Sequence, residues 1–161
     1  MTACAAVLGL SEDIKAELLE LGICDVLIPL TASPSVEVQG NAAAALGNLS
    51  SKTDDYSAFA RVWDQPAGGM HAYLARFLES PDTTFQHIAV WTLVQLLESC
   101  DPTLERQIRD SPRLLPLVRA LASDDGSAPA APNDGGSDDE GEDEIRQLAR
   151  KTLEFLAEDS A

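Results

Sequence analysis

The stretch that decides the fold is DVLIPLTASPSVEVQGNAAAALGNLSSK, residues 25–52, together with its likeness to ARFLESPDTTFQHIAVWTLVQLLES, residues 75–99. The two align without a gap at a constant offset of 47 residues. Their apolar residues follow the i, i+4, i+7, i+8, i+11 spacing of one helical face. An internal repeat of helical units therefore organises the chain. The aligned pairs include Gly22 with Gly69, Leu27 with Leu74, Ser33 with Ser80, Gln39 with Gln86, Ala42 with Ala89, and Leu46 with Leu93.

Turn signals divide each unit into three helices. Ser11 is an N-cap residue, Gly22 ends the first helix, and Ser33-Pro34 separates the second helix from the third. The predicted helices are 12–21, 25–32 and 36–49 in a unit at 12–51, and 56–63, 70–78 and 84–99 in a unit at 52–99.

A third unit is predicted at 100–158, with Leu117 on Leu27 and its last helix around Ala149, Leu153 and Leu156. Residues 123–144 interrupt this unit. They hold nine acids and no base in a Gly/Ser/Pro-rich frame, so they are predicted to be a disordered, solvated insertion.

The first residues carry a helical stripe of their own, formed by Ala3, Val7 and Leu10. Residues 1–11 are therefore predicted to be the last helix of a preceding unit. A solenoid that begins inside a unit exposes an apolar edge, which either earlier repeats or another chain would cover.

Composition excludes several classes of protein. The 161 residues include 45% hydrophobic residues, enough for a buried core, and the net charge of −16 disfavours binding to nucleic acid and to anionic membranes. Cys4, Cys24 and Cys100 fit neither a disulfide framework nor a zinc motif, which indicates a reducing compartment. No apolar run approaches the length of about 20 residues that a membrane span needs.

The pattern from Gly22 to Ser50, G-x4-L-x2-L-x2-S-P followed by V-Q-x2-A-x3-L-x-N-L-S, resembles the armadillo repeat. This resemblance implies an all-α, armadillo-type α-solenoid of about three three-helix repeats. Residues 25–52 and 75–99 are most similar to the C-terminal repeats of the fungal vacuolar armadillo proteins. The likeness extends over residues 1 to about 122, weakens over 145–157, and is expected to exclude the acidic segment.

That likeness implies a non-enzymatic scaffold on the cytoplasmic face of the fungal vacuole membrane, acting in vacuole inheritance, vacuole fusion, nucleus–vacuole junctions and autophagy-related targeting. The partners it implies are a myosin receptor, a nuclear-envelope junction protein and an autophagy-initiation subunit. These proteins attach through a myristoyl group, which requires Gly at residue 2; this chain has Thr2, so the segment alone is expected to be soluble. Cys4 is interpreted as a buried helix cysteine rather than an acylation site.

Armadillo proteins that bind extended peptides use an Asn on the third helix, with a Trp four residues earlier. In this sequence Asn48 has Ala44 at the Trp position, whereas Trp91 has Gln95 at the Asn position. The predicted partner-binding groove comprises Asn48, Trp91, Gln95, His87 and Ala44. Asn48 either contacts a ligand or makes a helix-end hydrogen bond, and Trp91 is expected to be half-buried. The incomplete pairs disfavour the alternative, an armadillo adaptor that recognises a linear peptide in nuclear transport or signalling.

No chemistry beyond binding is indicated. The sequence lacks the G-x-S-x-G, Walker A, H-E-x-x-H and G-x-G-x-x-G motifs, so neither catalysis nor a cofactor is expected. His71 and His87 lack partners at metal-ligand spacing and are assigned to packing or to the groove. Gly47 costs about 1 kcal/mol inside a helix, which indicates close approach of a neighbour. The arginines Arg106, Arg109, Arg113 and Arg119 either form a solvated face or meet acidic residues.

Overall fold

The computed structural model describes residues 12–51, 56–65, 68–123 and 139–158, and all regular structure in these ranges is helical. This confirms the prediction of an all-α chain. The helices lie close to the predicted positions throughout the first two units. They are α1 Glu12–Glu20, α2 Ile23–Leu30, α3 Val36–Ser50, α4 Ser57–Arg61, α5 Met70–Glu79, α6 Thr83–Glu98, α7 Pro102–Arg109, α8 Leu114–Ala122 and α9 Asp139–Glu158.

The turn before each third helix is built in the same way in the first two units. The Ser35 hydroxyl accepts a hydrogen bond from the Val38 amide at the start of α3, and the Asp82 carboxylate accepts one from the Thr84 amide at the start of α6. Gln39 Nε2 donates to the Ser33 carbonyl, and Gln86 Nε2 donates to the Ser80 carbonyl at 2.6 Å. The residue after each Ser-Pro, Ser35 or Asp82, therefore caps the third helix, and the repeated Gln braces the turn against the serine carbonyl.

The helices stack by type along the chain. The third helices form a series in which α6 packs between α3 and α9, while α5 packs on α8 and α4 packs on α7. One continuous core of buried apolar side chains joins the units. Burial of these side chains is the main stabilising contribution, at about 25 cal/mol per Å² of apolar surface. Fully buried members of the core include Leu46, Leu49, Phe59, Tyr73, Leu74, Leu93, Leu96, Leu104 and Leu114.

Polar side chains also link neighbouring units. Across the first boundary, Arg76 Nη2 donates to Thr31 Oγ1 at 2.9 Å, and Gln65 Nε2 donates to Asp25 Oδ1 at 3.0 Å. Across the second, the contacts are His71 to Ser111, Arg113 to Glu79 and Lys151 to Glu98. These links specify how one unit is placed on the next, whereas the apolar core supplies most of the stability.

The predicted disorder of residues 123–144 is wrong at its C-terminal end, because α9 begins at Asp139. Acidic side chains near a helix N-terminus are stabilised by the helix dipole, and Asp143 pairs with Arg146 at 2.6 Å. The acids that suggested disorder therefore favour the first turns of a helix. Residues 124–138 lie outside the described residues, as do residues 1–11 with their predicted helix.

The first unit has an exposed apolar surface among the described residues. Val26 and Leu30 of α2 are 58% and 37% exposed, whereas the residues aligned with them in the second unit, Tyr73 and Phe77, are 0% and 2% exposed. In this part of the chain Ile14, Leu21 and Val36 are also exposed. The same repeat position is thus buried where a preceding unit packs against it.

Gly47 is a point of close approach between α3 and α6. A Cβ atom placed on Gly47 would lie 2.5 Å from Trp91 Cζ3 and 2.9 Å from Thr92 Oγ1. The close neighbour that the sequence analysis expected is therefore the Trp91 side chain. We expect Gly47→Ala to destabilise the fold by about 1–2 kcal/mol, because the overlap outweighs the gain in helix propensity.

Urea denaturation measures this difference, with Gly141→Ala as the matched control. Gly141 also lies inside a helix, but an added Cβ there meets no atom within 4 Å. The control should be neutral or stabilise by up to about 1 kcal/mol. Equal midpoints for the two variants would contradict the packing assigned to Gly47.

Candidate functional site

The five predicted groove residues lie on two neighbouring helices. Ala44 and Asn48 are on α3, whereas His87, Trp91 and Gln95 are on α6, and all five are half-buried. Because α3 and α6 pack side by side, the structure brings these residues onto adjacent helices of one series.

Trp91 is held against the neighbouring helix. Its indole lies over Gly47, where the missing Cβ makes room for the ring. The side chain remains half-buried, as predicted, so part of the indole faces solvent. A large aromatic surface fixed in this way is a low-entropy contact for another polypeptide.

The Asn48 side chain is fixed by its own helix. Its Nδ2 donates to the Ala44 carbonyl at 2.9 Å, within one turn of α3. This is the helix-end bond considered in the sequence analysis. It also holds the amide in one orientation, so ligand contact by Asn48 stays a prediction.

The third helix of the last unit, α9, adds residues that the sequence analysis missed. Thr152 donates to the Leu148 carbonyl just as Thr92 donates to the Ile88 carbonyl, which sets the register of α9 at 60 residues from α6. In that register Lys151 aligns with Trp91, and Phe155 aligns with Gln95. The sequence already carries this signal, because Ala149, Leu153 and Leu156 lie 60 residues after Ala89, Leu93 and Leu96.

We call these six positions the third-helix row: Ala44 and Asn48, Trp91 and Gln95, Lys151 and Phe155. Lys151 Nζ lies 5.8 Å from the centre of the Phe155 ring and 2.5 Å from Glu98 Oε1. His87, the remaining predicted residue, lies on α6 with its Nε2 3.3 Å from Glu144 Oε1. The row combines aromatic rings, amides and one cation, which are groups that recognise polypeptides.

A second polar cluster connects the second and third units. His71 Nε2 lies 2.7 Å from Ser111 Oγ, and His71 Nδ1 lies 3.3 Å from Asp64 Oδ1. The imidazole also stacks on Trp63, with ring centres 5.5 Å apart. The order Ser, His, Asp is that of a hydrolase triad, and no sequence motif indicated it because the residues belong to three separate segments.

The surroundings of Ser111 fit a structural role instead. Ser111 is 5% exposed, and its hydroxyl accepts a hydrogen bond from the Leu114 amide at the start of α8. A nucleophile must reach its substrate, whereas this hydroxyl is buried and caps a helix. The cluster therefore fixes α8 against the start of α5.

Two further observations concern chemistry elsewhere in the chain. Burial raises the pKa of the Cys24 thiol to about 12, with a smaller contribution from Asp25, so the reactive thiolate is suppressed. Within the described ranges, no group of three or more His, Cys, Asp or Glu residues could hold a metal ion. None of the helices there has both the length and the apolar character to cross a membrane.

The predicted arginine cluster is divided among different contacts. Arg109 pairs with Glu105 at 2.6 Å within α7, and Arg113 pairs with Glu79 of α5 at 3.0 Å. Arg106 and Arg119 are exposed. Arg113 thus meets an acidic residue of the second unit, while the contacts of residues 124–138 lie outside the described part of the chain.

Comparison with known proteins agrees with this architecture. Residues 11–51 match the model of the armadillo/beta-catenin-like repeat. The repeat match and the stacked three-helix units make this an armadillo-repeat chain of the all-α solenoid class, as predicted.

Several curated relatives from fungi carry the name Vacuolar protein 8. The one from Gibberella zeae is 54% identical over 158 residues, which are 98% of this chain and 27% of the relative. The one from Schizosaccharomyces pombe is 50% identical over 160 residues, 99% of this chain and 28% of the relative. The one from Saccharomyces cerevisiae is 44% identical over 122 residues, 76% of this chain and 21% of the relative.

These similarities confirm the resemblance to the fungal vacuolar armadillo proteins. The chain spans about a quarter of the length of these relatives and corresponds to their C-terminal part. Because two of the matches cover 98% and 99% of the chain, they run across the acidic segment, where the likeness was expected to stop.

The structural role of Ser111 predicts that an active-site-directed fluorophosphonate leaves it unmodified in the folded protein. We expect Ser111→Ala to lower the free energy of unfolding by about 1–2 kcal/mol, because a cap and a hydrogen bond are lost. Intact-mass spectrometry and urea denaturation measure the two effects. Stoichiometric labelling of Ser111 that disappears in His71→Ala would overturn this assignment.

The two described cysteines should differ sharply in reactivity. Cys24 is buried with a raised pKa, whereas Cys100 is exposed, so iodoacetamide at pH 8 should alkylate Cys100 much faster. Peptide mass mapping measures both rates, and both should become equal in guanidinium chloride.

The same shift has a consequence for stability. The folded state favours the neutral thiol. The contribution of Cys24 to the free energy of unfolding is therefore complete below its unperturbed pKa of 9.0 and declines as the pH rises towards about 12. Equal alkylation of Cys24 and Cys100 in the native protein would contradict the burial of Cys24.

Proposed function

We propose that this chain is a non-enzymatic scaffold that binds extended segments of partner proteins along the third-helix row. The observation that carries the proposal is the Trp91 indole, which is held over Gly47 and left partly exposed. Its helix also carries Gln95 and packs beside the helix that carries Asn48. Fixed aromatic and amide groups at regular intervals suit a ligand whose backbone and side chains also repeat.

The spacing of the row supports an extended ligand rather than a compact one. Each unit contributes one position pair on its third helix, and neighbouring helices pack about 8–10 Å apart. Three residues of an extended chain span about 10 Å, so successive pairs would meet every third ligand residue or so. A polypeptide lying across α3, α6 and α9 would thus contact all three units.

The charge of the row bears on the choice of partner. Lys151 places a cation at the position where the second unit has Trp91, and that cation is paired with Glu98. A basic nuclear-import peptide would gain little there, because Lys151 is itself a cation and Phe155 is uncharged. This favours the scaffold over the nuclear-transport adaptor.

The cellular setting of the proposal comes from the relatives. Their name, Vacuolar protein 8, associates them with the vacuole. We propose the cytoplasmic face of the vacuole membrane as the working location of the protein that contains this segment. The processes implied by the resemblance, from vacuole inheritance to autophagy-related targeting, are likewise proposed, as are a myosin receptor, a nuclear-envelope junction protein and an autophagy-initiation subunit as partners.

The test is a peptide selection on the whole chain, followed by affinity measurements with variants of the row. Gln95→Ala should weaken the selected peptides about tenfold, because an amide that pairs with a ligand backbone is lost. Trp91→Ala should weaken them at least as much, because the anchoring ring is removed. Isothermal titration calorimetry measures both effects.

Gln65→Ala is the matched control, because Gln65 is also an amide but lies between α4 and α5, outside the third helices. The Gln65→Ala variant should bind the selected peptides with the same affinity as the unchanged chain. Circular dichroism establishes that each variant is folded. Binding that survives Gln95→Ala and Trp91→Ala but fails in Gln65→Ala would refute a site on the row.

A further inference from the structure

An open pocket of about 290 Å³ lies at the boundary between the first and second units. It is formed where each second helix passes into the third helix, and so it exists only because the two units stack. Residues that line it include Thr31, Gln39, Arg76, Phe77, Ser80 and Phe85. The pocket is separate from the third-helix row, since it shares no residue with it.

The guanidinium of Arg76 is held in place at this pocket. Its Nη2 donates to Thr31 Oγ1 at 2.9 Å, and Thr31, which is 1% exposed, donates in turn to the Ile28 carbonyl. Beside it, the rings of Phe77 and Phe85 stack with centres 4.5 Å apart and planes at 12°. A buried threonine and an aromatic wall thus orient the cation before any ligand arrives.

The charges around Arg76 are unbalanced. Arg113 lies close enough to disfavour the charge on Arg76, and the pKa of Arg76 is lowered first by burial and then by this neighbour. Arg113 is paired with Glu79, but in the described part of the chain Arg76 makes no ion pair. This is notable in a chain with 27 acidic and 11 basic residues. An anion at the pocket would supply the charged partner that the Arg76 guanidinium lacks.

We propose that the Arg76 pocket binds an oxyanion, a carboxylate or a phosphoryl group, on a side chain of a partner polypeptide. Arg76 supplies the charged fork, the hydroxyl of Ser80 lies within the same pocket, and the aromatic wall excludes water from one side. A polyanion such as nucleic acid is disfavoured by the net charge of −16. A single anionic side chain is affected far less, because repulsion is screened beyond about 8 Å at physiological salt.

The test is an NMR titration of the whole chain at constant ionic strength. It follows the backbone amide signals of Thr31, Phe77 and Ser80, which every variant retains, and the Arg76 Nε–Hε signal where Arg76 is present. Three blocked peptides are the probes: acetyl-Gly-phosphoserine-Gly-amide, acetyl-Gly-Glu-Gly-amide and acetyl-Gly-Ser-Gly-amide. We expect saturable shifts with the first two and none with the third. Binding of the phosphoserine peptide alone identifies the oxyanion as phosphoryl, and binding of the glutamate peptide alone identifies it as carboxylate.

Three variants establish that the binding is local. Arg76→Gln should weaken binding about tenfold or more, since one charge-assisted contact is lost. Arg106→Gln, which removes an exposed arginine of α7 outside the pocket, should leave it unchanged. Arg76→Lys keeps the positive charge but loses the planar guanidinium with its paired N–H donors, so it should bind the peptides more weakly than the unchanged chain. This variant keeps the test decisive if Arg76→Gln fails to fold.

The proposal is overturned if neither anionic peptide gives a saturable shift, or if Arg76→Gln and Arg106→Gln weaken binding equally. It does not depend on the groove, because Gln95→Ala should leave the binding of these peptides unaltered. The experiments therefore distinguish a failure of the proposed binding on the third-helix row from a failure of the proposed anion binding at the Arg76 pocket.

Discussion

The close approach of α3 and α6 at Gly47 is the constraint on which the rest of the structure depends. Small residues on α3, Ala42 to Ala45 and Gly47, let the Trp91 ring of α6 lie directly against the α3 backbone. A core packed at this density accepts no extra methyl group without a shift of its neighbours. The spacing of the first two units, and with it the spacing of the third-helix row, follows from this contact.

Polar groups between the units specify the stacking that the apolar core stabilises. The Arg76 contact to Thr31 and the His71 contact to Ser111 each join helices of different units. Buried polar groups need partners, so a slipped stack would leave these groups unsatisfied. The same requirement explains how Ser, His and Asp come together without forming a catalytic site: the serine hydroxyl is buried and caps α8.

The distribution of charge distinguishes the two proposed binding surfaces. Along the third-helix row, Lys151 is paired with Glu98, and His87 lies beside Glu144, so the row offers mainly aromatic and amide groups. At the Arg76 pocket, Glu79 pairs with the neighbouring Arg113, and Arg76 itself makes no ion pair within the described residues. A scaffold with two such surfaces could hold a partner by its backbone on one and by an acidic side chain on the other.

The sequence by itself determined the repeat, the approximate helix boundaries of the first two units and the residues at equivalent positions, because turn residues and helical periodicity are local properties. It determined five of the candidate groove residues and the need for a small residue at Gly47. Only the tertiary structure decided that the neighbour of Gly47 is the Trp91 ring, that α9 begins at Asp139, and that Arg76 meets Thr31 and Arg113. These contacts join residues far apart in the chain, or set a charge run against a helix dipole, and no local pattern encodes either.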